Sequence, residues 1–191
     1  MVKRKKLAEW VMNYTLQMGA DEVGVDLVKA EELDIEFRDG NIDKLEQGMQ
    51  NLLYIEIYKD SRYSVHKSNL LQREFLKDFI EKALHSTSYL EEDRYRSLPD
   101  TRLYPTKDSY DLSINDTQFN RINKNDKISL ASEIEHASLS CGDQIISATT
   151  AFAEGYFHLL KIHSNGFKGE KQSTNYTMGA EVTARDTHAN L

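Results

Sequence analysis

The stretch Glu32-Leu33-Asp34-Ile35-Glu36-Phe37-Arg38-Asp39-Gly40-Asn41 decides the fold. Leu33, Ile35 and Phe37 alternate with Glu32, Asp34, Glu36 and Arg38, which is the two-residue period of a strand with one face buried and the other in water. Asp39-Gly40-Asn41 then supplies a hairpin turn, because Gly and Asn tolerate the positive φ that tight hairpins require. The chain returns through Ile42 and Leu45. A third strand is expected from Leu52 to Tyr58, where Leu53, Ile55 and Ile57 share one face. Lys59-Asp60-Ser61 turns it into a fourth at Arg62 to His66. Short turns between consecutive strands make these neighbours antiparallel.

Working outward, the period changes. Upstream, Leu7, Trp10, Val11, Tyr14 and Met18 recur at helical spacing, so residues 3–18 read as an amphipathic helix closed by Gly19. Downstream, Leu71, Phe75, Phe79 and Ala83, joined by Leu76, Ile80 and Leu84, predict a second helix, with Ser68 or Asn69 as its cap. Residues 91–109 lose periodicity and contain both prolines, Pro99 and Pro105, which marks a linker or strap. A third helix follows through Ile128, Ala131, Ile134, Ala137 and Cys141, ending near Gly142. Ile145 to Ala153, Tyr156 to Ile162 and Tyr176 to Ala184 then read as strands, separated by Glu154-Gly155 and by the turn Ser164-Asn165-Gly166. The resulting class is α+β: antiparallel sheets packed with amphipathic helices in two α+β units, residues 1–95 and 110–191. No closing element follows the last strand, and the polypeptide is expected to continue beyond Leu191.

Composition narrows the function. The chain has 191 residues, 39% of them hydrophobic, which suits a soluble globular protein. A net charge of -7 and a pI near 5.4 argue against direct binding to nucleic acid; the basic run Lys3 to Lys6 reads as a solvated helix start. No stretch has the form of a secretory signal or a membrane span. A single cysteine, Cys141, rules out an intrachain disulfide and fits a cytoplasmic location; beside Gly142 it reads as a plain buried thiol rather than a nucleophile.

Several pieces in order resemble the TldD/PmbA family, also called modulators of DNA gyrase. They are Gly19-Ala20-Asp21-Glu22, the hairpin Phe37-Arg38-Asp39-Gly40-Asn41 followed by Lys44-Leu45-Glu46-Gln47, the strap Tyr95-Arg96-Ser97-Leu98-Pro99-Asp100, Ile145-Ile146-Ser147, and Ser164-Asn165-Gly166-Phe167. The hairpin and strap are more similar to the PmbA-type, metal-free partner. The chain departs from the family before the second helix, where Tyr63-Ser64-Val65-His66-Lys67-Ser68 stands in place of a Gly-rich stretch. The resemblance implies a cytosolic peptidase assembled from a metal-bearing subunit and a metal-free partner, acting on flexible polypeptides such as antibiotic peptide precursors and antitoxins. It also implies that the metal ligands lie in a later, C-terminal part. Zinc would then belong to a TldD-like partner subunit, and this chain would serve homo- or hetero-oligomer assembly and substrate guidance. The competing expectation is a free-standing interaction module linked to gyrase or toxin–antitoxin regulation.

The family's H-E-x-x-x-H chemistry has no counterpart here: no histidine is followed by Glu, and Leu159 follows His158. No catalytic, cofactor-binding or metal residue is therefore assigned. His158 and His163 have the outer spacing of that motif, but on a strand a separation of five puts them on opposite faces, as structural histidines. Glu32, Asp34 and Glu36 form an acidic strand face that could hold a cation or a basic partner; as a solvated outer face it would keep the sheet soluble. Tyr54, Tyr58 and Tyr63 could form an aromatic platform, but without a neighbouring Arg or Lys on that face they read as cross-strand packing.

Overall fold

In the computed structural model, which describes residues 2–105, 112–119 and 121–186, the hairpin turn has the left-handed geometry its residues permit, with φ of 50° at Asp39 and 72° at Gly40. It joins β1, Glu22–Arg38, to β2, Asn41–Lys59. A second two-residue turn, Asp60 and Ser61, also with positive φ, leads into β3, Arg62–Ser68, and Lys59 pairs antiparallel with Arg62. Helix α1 spans Val2–Gln17, α2 Arg73–Thr87 and α3 Lys124–Leu139; β4, Ile145–His163, and β5, Lys168–Ala184, complete the described elements. All five strands form one antiparallel sheet in the order β3-β2-β1-β4-β5, so β3 and β5 are its edges. The class is α+β.

The chain divides into two interleaved compact units. The first combines Met1–Lys29, Gln50–Leu112 and His158–Gln172. Its core joins Val23, Val25 and Leu27 of β1 and Leu53, Ile55 and Ile57 of β2 to Ala8 and Val11 of α1 and Leu76, Ile80 and Leu84 of α2. Each such Val, Leu or Ile side chain contributes roughly 1.5–3 kcal/mol on burial. Gly19, at φ 102°, ends the α1 segment. After α2 the chain crosses as a strap tied down at several points. Asp93 N–H donates to Ser61 O at 2.7 Å, Leu98 N–H to Glu22 Oε2 at 2.9 Å, and Asn165 Nδ2 to Pro99 O at 2.9 Å. Leu98 is buried. Residues 106–109 of the expected linker lie outside the described residues, as do Ala189, Asn190 and Leu191.

The second unit combines Ala30–Met49, Ser113–Phe157 and Ser173–Leu191. Leu33, Ile35 and Phe37 point inward as their alternation requires, against Ala131 of α3 and Phe152 of β4, with Ile128 and Leu130 at the margin. Thr150 Oγ1 donates to Ala131 O at 2.8 Å, which satisfies a hydroxyl otherwise costly to bury.

Four expectations are corrected. The strands expected around Ile42 to Leu45 and Leu52 to Tyr58 are one strand, β2; residues 46–51 are exposed, so they lack the alternation that marks a half-buried strand. Glu154-Gly155 is not a break either, since β4 runs straight through it. The cap of α2 is Gln72, without a side-chain bond, because Ser68 ends β3 and its hydroxyl instead bonds Leu70. Cys141 is exposed, beyond the end of α3 at Leu139, and its thiol donates to Ala137 O at 3.4 Å.

Candidate functional site

The second unit holds a cleft of about 470 Å³. Its floor is a buried ion pair: Lys127 of α3 donates from Nζ to Glu154 Oε1 of β4. Both residues are more than nine-tenths buried, and Glu154 Oε2 has no hydrogen-bond partner among the described residues. A buried carboxylate oxygen left bare is an exception in folded proteins, and such exceptions mark places to look for a ligand. Asn123 fixes the start of α3 by accepting from Asp126 N–H, and α3 then delivers Lys124 and Lys127 one turn apart onto the cleft. Strand β1 contributes Glu31 and Glu32 at the rim and Leu33 below them.

One wall is aromatic. The ring of Phe119 lies 5.9 Å from Lys127 Nζ and between Tyr156 and Tyr176, at centroid distances of 5.9 and 5.8 Å. The Tyr176 hydroxyl donates to Asp116 Oδ2 at 2.9 Å, and burial with that acceptor pushes its pKa up to about 12, so it stays a neutral donor at ordinary pH. Gly155 matters here: a Cβ there would meet Asn175 Oδ1 at 2.5 Å, so the Asn175 side chain of β5 occupies the space that glycine leaves.

In the first unit, a half-buried cluster lies on β1, β2 and β4, where Lys161 Nζ meets Asp26 Oδ2 at 3.1 Å and Glu56 Oε1 at 3.4 Å. Burial raises the Asp26 carboxyl above its usual range, while Lys161 opposes that shift. Tyr58 and Tyr63 pack face to tilted face at 4.8 Å as cross-strand partners. The expectation that no cation neighbours them is corrected, because Arg96 of the strap sits 5.0 Å from the Tyr63 ring centre. The strap thereby covers this platform.

The two histidines do not meet. His158 Nε2 bonds Glu170 Oε1 at 2.7 Å, whereas His163 Nδ1 bonds the Tyr104 hydroxyl at 2.8 Å. Both are buried and held in place by separate partners. Among the described residues, no three His, Cys, Asp or Glu side chains converge as a metal set. Ser64 Oγ does lie 2.9 Å from His66 Nε2 and 2.6 Å from Thr87 Oγ1, but among the described residues no acid orients that ring. Of the acidic strand face, only Glu32 lines the cleft; Asp34 and Glu36 lie near Lys44. Sequence reasoning missed Lys127, Glu154 and Phe119. A lysine at an inward helical position, one step from Ile128, and a glutamate inside a strand were their only signals.

Neither a protein-family model nor a curated protein sequence matches the chain. Solved structures do. A proposed modulator of DNA gyrase from Bacteroides thetaiotaomicron superposes with a TM-score of 0.92 and 34% identity, over 98% of this chain and 42% of that one. A second, from Thermotoga maritima, gives 0.78 and 13% identity over 96% of this chain and 40% of that one. TldE from Thermococcus kodakarensis gives 0.76 and 14% over the same shares. At such identities the last two show the fold alone. The α+β arrangement of one five-stranded sheet and three helices is thus a fold shared with gyrase-modulator proteins and TldE. The chain has the TldD/PmbA family fold. It spans about two-fifths of the length of these solved relatives, 42% of the first. No described helix is long and apolar enough to cross a membrane.

Proposed function

We propose that this chain is the non-catalytic N-terminal region of a TldD/PmbA-like peptidase-family subunit, of the PmbA type, which helps assemble a cytoplasmic heteromer and guides extended polypeptide in proteolysis or peptide maturation. One observation supports this reading above the others. Strand β5 is an edge of the sheet, and its even-numbered side chains Tyr176, Met178 and Val182 form an exposed apolar row. An open edge offers backbone donors and acceptors to any extended chain, and the alternating row offers contacts to every second side chain. That combination suits substrates selected for flexibility rather than for one sequence. It also suits a partner subunit without demanding a metal in this chain.

The test is binding of a fluorescent, unstructured polypeptide, followed by anisotropy. Saturable binding that Val182→Pro weakens supports strand addition, because proline removes a backbone donor from the edge. Equal binding by both proteins would refute it.

A further inference from the structure

We propose that the cleft between Glu31, Glu32, Glu154 and Phe119 is a subsite for the basic side chain, Lys or Arg, of an extended polypeptide; this deepens the reading of β5 as a polypeptide-binding edge. Charge is the first argument. Glu32 and Glu154 line the cleft with Lys124 and Lys127, and Lys127 is paired with only one oxygen of Glu154. An incoming anion would meet carboxylates and a neutralised lysine. An incoming cation meets Glu32 and the buried Glu154 Oε2, which has no partner among the described residues. A donor placed there completes the coordination of that carboxylate without breaking its bond to Lys127.

Shape is the second argument. Leu33, Met49 and Ile122 line the cleft together with the acids, so an aliphatic stem can lie on apolar surface while its charged head reaches the carboxylates. The face of Phe119 adds a surface that attracts ammonium or guanidinium groups. A bare divalent ion is disfavoured, because no three ligand side chains converge among the described residues and Lys127 stands beside the one buried carboxylate. Location is the third. Phe119, which lines the cleft, packs at a tilt against Tyr176 of β5, so the cleft is joined to that edge through one ring contact.

Two measurements separate this proposal from the reading beneath it. In the first, unstructured Ala/Ser/Thr peptides carry one Lys, Arg, norleucine or Glu, and their affinities are compared by anisotropy. Lys and Arg peptides should bind about tenfold tighter than the norleucine peptide, as a charge-assisted bond to a buried carboxylate predicts, and the advantage should shrink with salt. Glu32→Gln, altered only at the exposed rim, should lose part of that preference. Lys127→Met/Glu154→Met, which strands no buried charge, should lose it fully. In the second, N-acetyl-lysine methylamide, too short to add as a strand, should shift the Phe119 ring signals in NMR, whereas the norleucine analogue should not. Equal affinity for all four peptides, with binding still sensitive to Val182→Pro, would overturn the subsite and leave the edge intact. Shifts with the lysine amide but no peptide binding would keep the subsite and sink the edge. Absence of both would overturn both.

Discussion

Both carboxylate oxygens of Glu135 accept the backbone N–H of Gly40, at 3.3 and 3.2 Å, across 95 residues of chain. Glu135 is buried on the same face of α3 as Ala131 and Lys127, and the turn supplies it with a donor. The β1–β2 hairpin is thereby fastened to α3 at its tip. Glu135→Ala should lower stability by about 1.5–3 kcal/mol, the range for bonds to charged groups, and Glu135→Gln by less. Urea denaturation measures it; an unchanged midpoint for Glu135→Ala would show the contact to be idle.

Stability should fall in mild acid. Burial, aided by Lys161, pushes the His163 pKa below its ordinary 6.5 against the opposing pull of Glu56 and Glu22; burial does the same to His66. The folded protein therefore keeps both rings neutral to a lower pH than the unfolded chain, which takes up protons as pH drops below about 6.5. This contribution is present above that pH and is lost progressively below it. His163→Gln should flatten the decline in urea midpoint between about pH 7.5 and 5.5. An unaltered decline would assign the effect elsewhere.

The strap should be a tether rather than a free linker. Leu98 is buried and its N–H donates to Glu22, while Tyr95 between the tethers is 98% exposed. Leu98→Ala should speed tryptic cleavage after Arg94 and Arg96 by about tenfold or more, since the loss of a buried leucine costs more than the 1.4 kcal/mol that corresponds to tenfold. Equal cleavage rates would mean that the segment opens independently of this anchor.

Hydrolysis should be absent from this chain by itself. None of its histidines is followed by a glutamate, and His158 and His163 are committed to Glu170 and Tyr104. Elemental analysis should find no stoichiometric zinc, and a casein assay no cleavage, with or without added zinc. One tightly bound zinc per chain, with activity lost on His158→Ala, would reverse this assignment.

Much of the sheet was legible because a half-buried strand announces itself by alternation. Leu33, Ile35 and Phe37 did so, as did Leu53, Ile55 and Ile57, and the turns at Asp39 and Asp60 carry residues that accept positive φ. Where both faces of a strand are exposed, as at residues 46–51, no alternation exists to be read. Gly155 misled for a different reason: its missing side chain makes room for Asn175 rather than a turn. The cleft was illegible because Lys127 and Glu154 look like surface residues until tertiary packing places them against each other. Pairs of opposite charge 27 residues apart have no local signature.

The account rests on β5 as an edge that accepts extended polypeptide. Amide hydrogen exchange of the chain, alone and with a saturating unstructured polypeptide, reads that edge residue by residue. Alternate amides between Tyr176 and Ala184, those facing away from β4, should gain protection in the complex, and Val182→Pro should abolish the gain. Protection that appears elsewhere, or none on β5 under conditions where the polypeptide is bound, would contradict the account.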